Sequence, residues 1–340
     1  MLEHSRIAHY LLSLGVVKPG AVLDGDLVVT EVSRRNAVFL VTSSTGPAFV
    51  VKEAGSGGTL DREATVLRAL AADESVAGLV PRVVAHEDGR LVLASPPAAL
   101  DWSRRRDSPA SARALGKALG AIHQAQVEVE ELPGDDRPWG VTLPEPALER
   151  VRTFSSGAIE LLARVQADDG FCERLLRLRD GGYEPGFAHR DLRWDNVLLV
   201  TAPGGRRRTR VLVIDWELAG PGWPAFDLAS ALADYVRAAI DAIRVIARES
   251  DEAAVAAAAR AGLERRGPEM HALWAGYRRS AAASPIEIAE LVAVRLLEIA
   301  FEYARGASVV SGHILALTQL AQNMLRSPGL YAWNVLGLRG

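Results

Sequence analysis

The sequence predicts an α+β protein in two lobes: a small, antiparallel, β-rich lobe with one helix over residues 1–95, and a larger, mainly helical lobe over residues 96–340. Three observations carry this expectation. Short runs rich in Val, Leu and Phe crowd into the first 95 residues, each of strand length and bounded by turn formers. The stretch "SPPAALDW" (95–102) then interrupts the pattern, because adjacent prolines continue neither a helix nor a sheet ladder. Beyond it the chain is rich in Ala, Leu, Glu and Arg at helical spacing. At 340 residues it is long enough to bury two cores.

The small lobe reads as strands at "LVVTEV" (27–32), "AVFLVT" (37–42), "AFVVKEA" (48–54) and "GRLVLAS" (89–95). One helix interrupts them, "TLDREATVLRALAA" (59–72), where Thr59 can cap the start and Asp61 and Glu63 suit its positive end. After the linker, "SARALGKALGAIHQAQ" (111–126) is amphipathic, and residues 146–180 and much of 225–325 read as helix. The exception is a hairpin: "NVLLV" (196–200), the turn "TAPGGRRRT" (201–209), and "RVLVIDW" (210–216). No internal repeat is visible.

Composition excludes several classes. Lys and Arg number 39 against 42 Asp and Glu, a formal charge of -3, which gives no reason to expect nucleic acid or an anionic membrane as partner. Cys172 is the only cysteine, so neither a disulfide within the chain nor a cysteine zinc site is expected. The start "MLEHSRIAHYLLSLG" carries Glu3 and lacks the apolar core of a signal peptide. No charge-free apolar run reaches the roughly 18 residues a transmembrane helix needs. The expected setting is cytoplasmic.

The chemistry concentrates in "HRDLRWDNVLLV" (189–200). Asp191 and Asn196 lie five apart, and "VLVIDWE" ends an apolar run on Asp215. A hairpin joining the two strands brings Asn196 and Asp215 to one end of the sheet. A carboxylate and an amide oxygen there suit Mg²⁺, which takes few protein ligands and fills the rest with phosphate and water. Asp191 stands just before them as a candidate proton acceptor. H-R-D-x-x-x-x-N followed by a strand-end Asp is the spacing of a kinase catalytic loop and metal loop. Taken singly, each residue reads better as a polar group satisfying a turn; the order and spacing favour the joint reading.

The small lobe offers a second test. Lys52 is a charge inside an apolar strand, where an unpaired ammonium is costly. Glu63, eleven residues on, shares a helix face with Val66, Leu67 and Leu70 and so points inward, whereas Asp61 lies nearer Thr65 and Arg68. The competing reading of Lys52 is an edge-strand lysine whose head reaches water. "GSGG" (55–58) follows the wrong strand for a phosphate-covering loop and reads as a connector. The first hairpin turn, "SRRN" (33–36), has no glycine, leaving Ser33 and backbone amides as weak phosphate contacts. Neither G-x-x-x-x-G-K-[ST] nor G-x-G-x-x-G occurs, so P-loop and Rossmann sites are unsupported.

Lys52 in "VVKEA", Glu63, "LGKALGAIHQ" (115–124), "HRDLRWDN", "VIDWELAG" (213–220) and "PAFDLAS" (224–230) together resemble the aminoglycoside phosphotransferase and choline kinase superfamily, whose fold is similar to that of protein kinases. The resemblance implies ATP and Mg²⁺ as cofactors and a hydroxyl-bearing acceptor. It makes Asp191 the catalytic base, Asn196 and Asp215 the Mg²⁺ ligands, Lys52 the holder of the ATP phosphates and Glu63 its orienting partner. It makes Asp227 a brace for the catalytic loop and residues 94–99 the hinge that holds adenine. Arg190 departs from it, standing where many small-molecule members carry glycine. Only twelve positions separate Asp215 from Asp227, too few for a phosphorylated activation loop. Arg193 stands where Ser/Thr kinases place a lysine on the γ-phosphate, and its guanidinium could neutralise charge there; a surface arginine is the competing reading.

The acceptor is read from the helical lobe. Residues 228–340 carry 11 acids and 12 arginines or lysines without an acidic cluster, which disfavours a polycation such as an aminoglycoside. "DLRWDN" with "DWELAGPGWPAFDLAS" resembles phosphotransferases of lanthipeptide and thioamitide biosynthesis. That implies a Ser or Thr acceptor in a precursor peptide and a separate lyase that eliminates the phosphate. "GGRRRTR" (204–210) could face an acidic leader peptide, although a solvated hairpin tip is the favoured reading. Trp274, Tyr277, Phe301, Tyr303, Tyr331 and Trp333 read as core by default, and as groove lining for apolar flanking residues otherwise. A small-molecule kinase, for an aminoglycoside, amino-alcohol or sugar, stays open, as does a non-catalytic nucleotide-binding partner protein.

Overall fold

The computed structural model describes residues 2–32, 37–44, 46–54, 59–96, 99–101, 108–127, 137–181, 183–201, 209–241, 252–279 and 283–339. Its elements begin with α1 (Leu2–Ser13), α2 (Pro19–Leu23), β1 (Val28–Glu31), β2 (Ala37–Thr42), β3 (Ala48–Glu53), α3 (Thr59–Ala72), β4 (Val83–Glu87), β5 (Arg90–Ser95) and β6 (Ala99–Asp101). There follow α4 (Pro109–Gln124), α5 (Leu148–Val151), α6 (Ser156–Gln166), α7 (Asp169–Gly181), β7 (Gly186–Ala188), β8 (Val197–Thr201), β9 (Thr209–Val213) and β10 (Gly220–Gly222). The chain closes with α8 (Pro224–Asp241), α9 (Glu252–Tyr277), α10 (Pro285–Ala304), α11 (Gly312–Arg326) and α12 (Pro328–Asn334). Packing divides it into two compact units: Met1–Arg104 with Ala125–Glu130 and Asp195–Gly220, and Arg105–Gln124 with Glu131–Trp194 and Pro221–Gly340. The hairpin of β8 and β9 thus groups with the N-terminal strands.

In the first unit five strands form an antiparallel sheet in the order β1-β2-β3-β5-β4. Successive side chains of a strand point to opposite faces, and β3 shows the consequence. Phe49 and Val51 turn to one face, where Phe39, Val41 and Val92 meet Ile7, Tyr10 and Leu11 of α1 in one core cluster. Ala48 and Lys52 turn to the other. The sequence reading singles out one helix for this lobe, and α3 has the expected bounds. α1 is an addition: Ile7, Tyr10 and Leu11, at the i, i+3, i+4 spacing of a buried helical stripe, cover the sheet face that α3 does not. β4 is also additional; its side chains are almost uniformly half-buried and a bulge interrupts it at Val83/Ala85, so it lacks the alternation that marks a strand. β6, β8 and β9 form a separate antiparallel sheet.

The second unit is helical and built around α10, whose residues are buried on nearly every side from Ile288 to Ala304. Ser284 caps α10 in a reciprocal capping box with Glu287, and Pro285 occupies its first turn. α4 and α9 cross closely because glycines meet there. A Cβ on Gly116 would stand 2.0 Å from the Leu273 carbonyl oxygen, and one on Gly276 2.4 Å from that of Arg113. Among the described residues no helix is long and apolar enough to cross a membrane.

Candidate active site

Lys52 lies inside β3 with Val38 and Leu91 opposite it on the neighbouring strands, 8% exposed. Its ammonium donates to both carboxylate oxygens of Glu63, at 2.7 and 2.8 Å, and to Oδ1 of Asp215 at 2.7 Å. Glu63 is fully buried on the inner face of α3, while Asp61 points outward against His86 with its side chain 80% exposed. Burial opposes the charge on Lys52, yet the carboxylates of Glu63 and Asp215 outweigh it and hold its pKa above the ordinary lysine value. The two carboxylates thus favour the charged form of the lysine.

Asp215 follows β9 with a φ of 68°, a left-handed conformation that costs a non-glycine residue energy. Two contacts of its neighbour hold it there. Trp216 is fully buried, its indole donating to the Val213 carbonyl at 2.8 Å, and its backbone N–H donates to Glu63 at 3.4 Å. Pairing of Val197 with Val213, and donation from the Ile214 N–H to the Asn196 carbonyl at 2.9 Å, bring Asn196 and Asp215 to the same end of the hairpin. Asn196 is buried and the Asp215 side chain is 36% exposed. An amide oxygen beside an accessible carboxylate is a hard, all-oxygen donor set, which fits Mg²⁺ sharing phosphate oxygens and does not fit zinc.

Asp191 and Arg193 belong to the second unit. The loop that carries them follows β7 and is held by two aspartates of α8. Asp227, buried in the first turn of α8, accepts from the backbone N–H groups of His189 at 2.7 Å and Arg190 at 3.0 Å. It also bonds His123 Nε2 at 3.0 Å, and His123 Nδ1 lies 2.9 Å from the Tyr277 hydroxyl. Burial alone would raise the Asp227 pKa, but the hydrogen bond from His123 and the contacts of His189 hold it below the ordinary aspartate value. Asp234, two turns further on α8, accepts from the Trp194 N–H at 2.8 Å. Arg190 has a φ of 68°, the left-handed conformation that glycine favours.

The Asp191 carboxylate contacts Arg193 Nε at 3.4 Å, and Arg193 reaches Glu302 at 3.5 Å. Arg295 donates to the other oxygen of Glu302 at 2.9 Å and to Glu298 at 3.0 Å. Asp234, Arg295 and Glu302 are residues that sequence reasoning missed, and His123 entered only as part of "LGKALGAIHQ", with no role given to it. The seven-residue spacing of Asp227 and Asp234 was a signal for the first; no local pattern marks the others. Ser33, the "GSGG" stretch and most of the arginine-rich turn lie outside the described residues, as do Pro97 and Ala98 of the expected hinge. Of the aromatics, Trp274, Tyr277 and Phe301 are core, while Tyr303 and Trp333 are exposed and Tyr331 half-buried.

The sequence model of the APH family, described as a phosphotransferase enzyme family, matches residues 29–274. A comparison with curated protein sequences finds no match. Similar solved structures include a Plasmodium vivax ethanolamine kinase, 12% identical over 93% of this chain and 85% of that one, with a TM-score of 0.57. A microcompartment-associated aminopropanol kinase is 18% identical over 98% and 99% of the two chains, TM-score 0.56. A choline/ethanolamine kinase family protein from Mesorhizobium loti is 15% identical over 99% and 100%, TM-score 0.56. At such identities the likeness is one of fold, and the fold is the kinase-like one that the motifs implied.

Proposed function

This chain belongs to the phosphotransferase enzyme family, and from that premise we propose that it moves the γ-phosphate of ATP, with Mg²⁺, to a Ser or Thr hydroxyl of a peptide. The observation that carries phosphotransfer is the three-way contact of Lys52 with Glu63 and Asp215, next to Asn196 at the hairpin end. Asn196 and Asp215 would hold Mg²⁺, which would supply neutralising charge to the phosphate oxygens. Lys52, oriented by Glu63, turns an N–H from Asp215 to a phosphate oxygen when nucleotide arrives. Asp191 accepts the proton of the acceptor hydroxyl as its oxygen bonds to the γ-phosphorus, and the bond from that phosphorus to the bridging oxygen of ADP breaks. The backbone bonds from Asp227 and Asp234 keep the Asp191 loop in one shape, so little reorganisation accompanies the transfer. Arg193 adds positive charge near the transferring group.

The acceptor reading is supported by how the acids near Asp191 are used. Glu302 is engaged on both oxygens by Arg193 and Arg295, and Glu298 by Arg295. A polycation would have to displace arginines to find a carboxylate there. A small amino-alcohol is the second reading, since an ethanolamine and an aminopropanol kinase share the fold. In the peptide reading a separate lyase removes the α-proton of the phosphorylated residue and expels phosphate, leaving a dehydroamino acid, and the setting is cytoplasmic. The test is transfer of labelled γ-phosphate to three pools: aminoglycosides, small amino-alcohols or sugars, and Ser/Thr peptides. Transfer to peptides alone is the expected result. Transfer confined to a small-molecule pool overturns the peptide acceptor, and no Mg²⁺-dependent turnover in any pool would favour a non-catalytic nucleotide-binding protein.

A further inference from the structure

Within the second unit, Glu302, which Arg193 of the Asp191 loop contacts, lines a small open cleft. Its apolar lining is three rings: Phe301 packs edge-on against Trp139, with centroids 5.8 Å apart, and obliquely against Phe154 at 5.6 Å. Three charges complete the lining: Glu302, Arg150 and Arg305. Both oxygens of Glu302 are already taken by arginines. Arg150 and Arg305 have no carboxylate partner among the described residues and both are exposed. The guanidinium carbon of Arg150 lies over the Trp139 ring, 4.8 Å from its centroid. A cation–π contact of this kind anchors a guanidinium without using an oxygen acceptor, and a carboxylate is the two-oxygen partner that its N–H donors match.

We infer that this cleft is a specificity subsite for the acceptor, taking a Glu or Asp side chain two or three residues from the hydroxyl that is phosphorylated. The inference rests on the peptide reading above. Its charge follows from the lining, where two uncommitted guanidiniums face an acid that is already neutralised. The rings take the methylene stem and lower the local dielectric, which strengthens the ion pair at the mouth. Its position follows from the contacts at 3.4 and 3.5 Å on either side of the Arg193 guanidinium. They limit the distance between the carboxylates of Asp191 and Glu302 to roughly 9 Å, and an extended chain covers that in two to three residues at about 3.3 Å each.

The experiment uses the full chain with Mg²⁺ and ATP, and Ser peptides carrying Glu, Gln or Lys at each position up to three residues on either side of the Ser. The readout is the ratio of kcat/KM for Glu over Gln at each position, taken within one enzyme so that partial misfolding cancels. The expected wild-type ratio is on the order of tenfold or more at one position two or three residues from the Ser, the scale of one charge-assisted contact. In Arg150→Gln/Arg305→Gln it should fall to about one, and in Arg150→Glu/Arg305→Glu the preference should turn to Lys. A flat wild-type profile, or a preference that survives in the double glutamine variant, overturns the subsite and leaves the peptide acceptor standing. Transfer to no peptide at all overturns both.

Discussion

Asp227 and Asp234 stand seven residues apart on one face of α8 and grip the Asp191 loop from both sides. Asp227 takes the N–H groups of His189 and Arg190 ahead of Asp191, and Asp234 takes that of Trp194 behind it. Seven residues of helix are two turns, roughly 10 Å of rise, which is why one rigid helix can hold both ends of a short loop. The candidate base is thus placed by backbone hydrogen bonds to a buried scaffold rather than by its own side chain alone.

Asp227→Ala should therefore be costly, since it strands two backbone donors and a histidine in a buried site. The expected loss is about 2–5 kcal/mol, read from the midpoint of urea unfolding. The sign with pH is set by its lowered pKa. A carboxylate whose folded pKa lies below its unfolded value stabilises the fold fully above the ordinary aspartate range, and the contribution fades as pH falls through the lower, folded value. The wild type should lose stability on acidification through that window, and Asp227→Asn should lose less over the same range. Equal acid slopes in both proteins would remove Asp227 from the pH dependence.

Asp191→Ala should abolish transfer while nucleotide affinity stays close to wild type, because Asp191 lies ahead of the proposed metal pair in the chain. The expected fall in kcat is on the order of 10²–10⁴-fold, the usual contribution of a general base. Transfer within twofold of wild type would exclude it from the mechanism.

Asp215→Asn should weaken Mg²⁺-dependent ATP binding and slow transfer together, since it removes the one anionic ligand at the hairpin end and a partner of Lys52. Asn196→Ala should act in the same direction but less, a neutral amide contributing less to a hard cation. Titration of turnover against Mg²⁺ checks both. An unchanged Mg²⁺ requirement in the Asp215 variant would move the metal elsewhere, with Glu217 the next ligand to test.

Lys52 and Glu63 should behave as one unit. Alanine at either position should lower affinity for nucleotide phosphates, and a double-mutant cycle should show a coupling of roughly 0.5–3 kcal/mol, as groups in direct contact do. Additive effects in nucleotide binding would show that the pair does not act together.

What the sequence by itself determined follows from local periodicity. Alternation in "AFVVKEA" puts Lys52 on the sheet face opposite Val51, and the helical stripe in 59–72 puts Glu63 beside Leu67 and Leu70. Two regular elements with known inner faces leave one place for the buried charges to meet. The hairpin of "NVLLV" and "RVLVIDW" fixes Asn196 against Asp215 in the same way, through register. Tertiary structure alone decided the surroundings of Asp191. Arg193 pairs with Glu302 across 109 positions and His123 meets Tyr277 across 154. With 11 acids and 12 basic residues in 228–340, composition allows many pairings, and the packing of α8, α10 and the α4–α9 crossing selects among them. Helix periodicity tells which face of each helix is buried; it does not tell which other helix that face will touch, because that depends on side-chain volumes and glycine contacts summed over the whole unit.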